Sequence, residues 1–239
     1  MKNLINSFKY YSVLFCLVSS SLGAVIEVNA QTYNLSVGTN VSTYLYKNSE
    51  GATIDFLKRG SGSHFKLGSE FQLLDTTNNQ GATSRMAIFF SQRQWLARPL
   101  TRIKFDVQVE TNQINAVGDQ QGIAFSYQTN FVGMSGGFGY HSPTYKNWSA
   151  LLKGRFAVHK LIQGNQALGN AFLDLTKDDQ FSRLQFFAGL EAQLQKKLND
   201  RLYAFLSYQQ MSTMHPEISG KPTLNFQTST ISFGIKILK

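Results

Sequence analysis

The chain has 239 residues, which suits one domain or at most two. Only 15% of residues are charged, with four prolines and 19 phenylalanines, a balance that argues against disorder. The formal charge is +9, yet no run of five basic residues occurs, so nucleic acid is not an expected partner.

Residues 1–30 read as a secretory signal peptide. Lys2 and Lys9 supply the basic front, residues 11–18 the apolar core, and Val28-Asn29-Ala30 a small-x-small cleavage site. The mature domain is then residues 31–239. The one cysteine, Cys16, leaves with the signal, so no disulfide and no thiolate chemistry is expected in the mature chain. Losing Lys2, Lys9 and Glu27 takes the formal charge from +9 to +8. A basic exported protein suits anionic lipid headgroups and lipopolysaccharide phosphates as partners. Beyond the signal no apolar run approaches a helical span, which argues against a bundle of membrane helices but not against a barrel.

Residues 33–45 alternate, with Tyr33, Leu35, Val37, Val41 and Leu45 on one face and Asn34, Ser36, Gly38, Asn40 and Ser42 on the other. Residues 47–63 are rich in Gly and Ser and read as a long loop. Phe65, Leu67 and Phe71 then alternate with Lys66, Gly68 and Glu70. Residues 75–81 read as a turn, Met86, Ile88 and Phe90 as a short alternating stretch, and residues 91–99 as irregular. Residues 100–111 show the clearest alternation. Thr101, Ile103, Phe105, Val107 and Val109 oppose Arg102, Lys104, Asp106, Gln108 and Glu110. Residues 116–119 read as a turn.

Residues 122–141 alternate in one phase to Phe131 and in the other from Val132, so a bulge or a hairpin near Thr129-Asn130 is expected. A short turn at 142–147 precedes Trp148, Ala150, Leu152, Phe156 and Val158, which alternate with Ser149, Lys153, Arg155 and His159. Residues 161–180 read as a long loop. Leu184, Phe186, Leu190 and Leu194 alternate with Arg183, Gln185, Gly189, Glu191 and Gln193. After a turn at 196–200, residues 202–211 form a strand, 212–223 a longer loop, and 231–239 a closing strand.

Strands with one apolar and one charged face allow two architectures. A soluble barrel of the lipocalin kind turns the apolar face inward and binds an apolar ligand there. A membrane barrel turns it to lipid and the charges to the lumen. The alternation of short turns and long loops and the Gly-rich, mixed-charge polar faces favour the second. The signal ending Asn29-Ala30 before Gln31, with the closing strand 231–239, resembles small outer-membrane β-barrel proteins of the Bacteroidetes type. Ending in Lys239 rather than an aromatic residue departs from the commonest bacterial pattern. The resemblance implies an all-β fold, a transmembrane antiparallel up-and-down barrel, in the outer membrane. The outer-membrane assembly machinery and subunits of an envelope complex are further expected partners. Strand parity gives eight strands if 122–141 is one strand and 86–90 is not counted, and ten if both regions add one. Eight is preferred. Such a barrel is filled by its own side chains.

The candidate site is the lumen-facing polar set Arg102, Lys104, Asp106, Gln108, Glu110, Lys153, Arg155, Arg183 and Glu191. Weighed against ligand binding, a self-neutralising network filling a closed barrel is the preferred reading. His141-Ser142 has the residue types of an activated serine, and small outer-membrane barrels include lipid-modifying enzymes. Adjacent strand residues point to opposite faces, however, so no enzyme is expected. His64, His159 and His215 have no metal-ligand spacing, and Asp174, Asp178 and Asp179 do not match a calcium loop. No cofactor is expected. The function expected is a structural, adhesion or small-solute role.

Overall fold

Eight long antiparallel strands make a closed ring. The structure, a computed structural model, describes residues 31–50, 52–54, 57–75, 102–120, 123–142, 144–169, 171–214 and 223–239. The ring runs β1 (Gln31–Lys47), β3 (Leu57–Asp75), β4 (Arg102–Gln120), β5 (Ile123–His141), β6 (Trp148–Leu168), β8 (Gln185–Lys197), β9 (Leu202–Thr213) and β10 (Thr223–Leu238). Two short strands, β2 (Thr53–Ile54) and β7 (Ala171–Asp174), pair only with β1 and β6. Closure comes from β10 against β1, in register from Thr32↔Leu238 to Lys47↔Thr223. No backbone edge is left along the ring, which a sheet in hydrocarbon requires.

The polar face is inside. Asp106, Gln108 and Glu110 are 1%, 5% and 2% exposed, while Val107 and Val109 between and beside them are 36% and 51% exposed. The same holds around the ring, with Lys66, Arg155, Glu191 and Lys236 buried and Leu67, Phe156, Leu190 and Phe233 exposed. A soluble barrel binding an apolar ligand in its lumen is thereby overturned. An apolar outer wall around a charged interior is stable only where hydrocarbon surrounds it.

Several local expectations give way to longer strands. The loop expected at 47–63 is largely strand, since β3 begins at Leu57. The turn expected at 116–119 lies within β4, where Ala116 and Val117 pair with Tyr127 and Ser126. Nor does β5 bend at Thr129-Asn130. Its odd-numbered residues face inward throughout, from Phe125 through Phe131, Ser135 and Gly137 to His141. What changes at Phe131 is the interior, which is aromatic on one side and polar on the other. The register irregularity lies on β6, where Ile162 is extra between Leu161↔Phe131 and Gln163↔Asn130. The expected signal at 1–30, the turn at 75–81 apart from Asp75 at the end of β3, the stretch at 86–90, the irregular 91–99 and most of the 212–223 loop lie outside the described residues.

The loop expected at 161–180 is also structured. β6 runs on to Leu168 and pairs with β7, after which come a 3-10 turn (Leu175–Lys177) and helix α1 (Asp179–Ser182). The Asp174 side chain caps the 3-10 turn by accepting from the Thr176 amide, 2.9 Å away. The Thr176 hydroxyl and amide hold the Asp174 carboxyl below its ordinary range. Asp178 caps α1 by accepting from the Gln180 amide at 2.8 Å. Both caps aim Leu175 and Phe181 down into the barrel, where they are buried.

Candidate functional site

Seen along its axis, the interior has two zones. At the end away from the termini it is apolar, built from Tyr44, Ile114, Phe131, Leu161, Phe187 and Phe226 and closed by Leu175 and Phe181. The Phe181 ring stacks 6.0 Å from Tyr127 and lies 6.2 Å from Tyr44, whose ring meets Phe226 edge-on at 4.9 Å. The Tyr44 hydroxyl donates to the Ile114 carbonyl at 2.9 Å, so its one polar atom is satisfied inside this cluster. Together these groups form an aromatic plug.

Below the plug the lumen is charged, and its ion pairs are continuous. Glu70 receives Lys104 at 2.7 Å, Lys236 at 2.7 Å and Lys153 at 3.0 Å. Lys153 also bonds Asp106, which Arg155 meets from the other side at 2.6 Å. Arg155 continues to Glu191 at 3.4 Å, and Glu191 lies 3.8 Å from Lys66. Gln108 accepts from Arg155 Nη2 at 2.9 Å, and Gln209 accepts from Lys66. A second group sits under the plug. Glu110 Oε1 is 2.6 Å from His159 Nε2, Glu110 Oε2 accepts from Ser135 at 2.9 Å, and His64 Nε2 stands 3.8 Å away. The His159 ring lies 4.8 Å from Phe187, joining the charged zone to the plug.

The sequence explains this density on β5. That strand gives glycine to the lumen where β6 gives its largest polar side chains. A Cβ on Gly133 would run into the His159 ring, and one on Gly137 would lie 2.9 Å from Arg155 Cδ. Gly133, Gly137 and Gly139 are therefore space for His159, Arg155 and Lys153.

Of the expected set, Lys104, Asp106, Gln108, Glu110, Lys153, Arg155 and Glu191 are brought together. The Arg102 side chain lies outside the described residues, although its backbone pairs with Asp75. Arg183 is not in the lumen. It is exposed, on the link between α1 and β8, because β8 begins only at Gln185. His64, Lys66, Glu70, His159, Gln209 and Lys236 belong to the network but were outside that set. Each stands on the polar side of an alternating strand, which was the available signal. The Ser142 hydroxyl, next to His141, accepts from the Ala150 amide at 2.8 Å and holds the turn.

Apolar residues outward, charges inward and a closed even-numbered ring decide the class. The protein is an eight-stranded outer-membrane β-barrel. No protein-family model matches the chain, and no curated protein does. Solved structures with a similar fold include Neisserial surface protein A, at 11% identity and TM-score 0.39, with 85% of this chain and 96% of that one covered. Ail of Yersinia pestis, solved with the heparin analogue sucrose octasulfate, matches at 12% identity and TM-score 0.39, covering 87% and 99%. The outer membrane protease OmpT of Escherichia coli matches at 8% identity and TM-score 0.44, covering 89% and 98%. The expectation that the chain is not an enzyme is corrected here. The similar structures include a protease, so a barrel of this kind is no ground for excluding catalysis.

Proposed function

We propose that this barrel is a closed outer-membrane scaffold with a structural or adhesive role, presenting the surface built by its connections at the end away from the termini. The observation that carries this reading is the doubly blocked lumen, with the ion-pair network across the middle and the aromatic plug above it. An interior filled by its own paired charges leaves no continuous water column for a solute. The end bearing both termini faces the periplasm, and the plug faces outward.

The exposed cations at the outward end, Lys58, Arg59, Lys177 and Arg183, suit lipopolysaccharide phosphates. The closing strand is the segment for the assembly machinery to recognise, and subunits of an envelope complex are the protein partners this role implies. The Bacteroidetes-type relationship rests on Asn29-Ala30 before Gln31 and on the closing strand. Planar-bilayer recording of the purified protein tests the reading. It should show no stepwise conductance, whereas steady unit openings would overturn the closed lumen and favour a solute pathway.

A further inference from the structure

The lipid-facing wall is not uniformly bulky. Among the outward positions of β6 and β8, Ala150 and Ala192 are small and sit diagonally, opposite Leu194 and Leu152. On the next strand Leu206 and Tyr208 stand beside Leu194 and Ala192. The result is an apolar groove of about 480 Å³ in the wall, floored by the two alanines and bordered by Leu152, Leu194, Leu206 and Tyr208. Its lining is almost wholly hydrocarbon.

What lies at the groove's end indicates its occupant. Two residues towards the termini from Ala150 and Leu194 are Trp148 and Lys196, themselves a cross-strand pair and both exposed. Lys196 Nζ is 5.3 Å from the Trp148 ring centroid, so it is held at the wall. Beside it is a tight hairpin in which the Tyr145 and Trp148 amides each donate to the other's carbonyl at 2.8 Å. Lys146 and Asn147 at its tip adopt positive φ of 47° and 69°, which fixes where Lys146 projects. A third bond, from the Lys197 amide to the Asn147 carbonyl at 2.8 Å, ties this hairpin to β8. An apolar groove thus runs towards an aromatic ring and the Lys196 ammonium group, with Lys146 on the hairpin beside them.

We propose that this is a binding site for one anionic glycerophospholipid of the periplasmic leaflet. An acyl chain lies in the groove over Ala150 and Ala192, and the phosphate meets Lys196 and Lys146. An acyl chain fits because almost all of the surface that lines the groove is apolar. The phosphate fits because the cations at its mouth have no carboxylate partner among the contacts described. A second copy of the chain would leave these like charges unneutralised in its interface. The site rests on the membrane-barrel reading and its orientation, and goes beyond them.

The test uses the full mature chain, inserted into vesicles of phosphatidylethanolamine and phosphatidylglycerol, extracted in mild detergent and weighed by native mass spectrometry. One retained phosphatidylglycerol per chain is expected. Ala192→Phe fills the groove and Lys196→Gln removes a charge-assisted contact, so each should lower retention by about tenfold. Leu190→Phe, on the same wall of β8 but outside the groove, should leave it unchanged. Heat-shifted gel mobility reports folding for every variant. Equal retention in wild type, Ala192→Phe and Lys196→Gln overturns the site, as does a lipid-free dimer that Ala192→Phe abolishes. Retention without preference for phosphatidylglycerol overturns the assigned headgroup. A wild-type chain that neither inserts nor shifts on heating removes the membrane barrel itself, and the site with it.

Discussion

Glu70 is the residue on which the lower lumen turns. Three ammonium groups, from Lys104, Lys153 and Lys236, meet this one buried carboxylate. Removing its charge leaves like charges facing one another without water to screen them. Glu70→Gln should therefore lower stability by about 3–5 kcal/mol, read from urea titration of the barrel refolded in vesicles. Lys104→Gln should cost less, because Lys104 is only half-buried and Glu70 keeps two partners. If the two variants lose equal stability, the network is not organised around Glu70. Lys236 matters for the same reason. An outward-facing end strand suggests that Phe233, Ile235 and Ile237 outweigh it, but its ammonium group is buried against Glu70 at 2.7 Å. Gly133→Ala is a steric counterpart, since the added Cβ meets the His159 ring and the Val158 carbonyl. Reduced yield of heat-modifiable barrel is the expected result, and normal yield would show that β5 can move away from β6.

At the scale of the element, each strand must keep one face in lipid and one in the lumen. Val107→Arg places a charge on the lipid face of β4 and should cost about 2–4 kcal/mol near mid-strand. A harmless Val107→Arg would mean that this face meets water. Gln108→Ala acts on the other face. It strips Arg155 Nη2 of an acceptor at 2.9 Å and should cost about 1–3 kcal/mol. The plug obeys a different rule, because it is an apolar cluster inside the barrel, seated by burial and by the capped turns that carry Leu175 and Phe181. Lys177 is exposed, but Leu175 and Phe181 on either side of it are buried in the plug. Trypsin added to intact cells should cut at Lys177 slowly and spare Lys196 and Lys197 at the other end. Phe181→Ala should accelerate that cut, because it removes the ring that seats α1. Cleavage at Lys177 only after the outer membrane is permeabilised would reverse the orientation of the barrel.

For the whole molecule the decisive contact is closure. β10 and β1 pair along their full lengths, and without β10 a row of N–H and C=O groups faces hydrocarbon at several kcal/mol each. Deleting residues 232–239 should abolish heat-modifiable protein in the outer membrane rather than reduce it. Insertion at normal levels would mean that the ring closes without its last strand. A deletion within 161–180 looks harmless while that segment is taken as a loop, since loop length enters closure only logarithmically. It is not a loop. The segment carries the end of β6, β7, and the Leu175 anchor of the plug.

The alternation of residues 33–45, 100–111 and 231–239 was enough to determine strands with two unlike faces, and strand parity favoured eight strands over ten. Period two and segment length are local properties that survive any tertiary arrangement in which one face meets lipid. Most of the lumen network was legible for the same reason, since a charge on the polar face of such a strand has nowhere else to go. Only the tertiary structure decided the plug. Phe125, Phe131, Tyr44 and Phe226 are apolar residues on an inward face. In the sequence Phe125 and Phe131 look like one side of a change of phase at Thr129-Asn130, because periodicity records polarity and not direction. Their burial depends on α1 folding back over the barrel mouth, a contact between residues far apart in the chain. The Arg183 position failed in the same way: alternation carried it into β8, which begins only at Gln185, two residues later. Which carboxylate takes which ammonium was likewise a matter of register around the closed ring, where Lys236 reaches Glu70 across the joint between the last strand and the first.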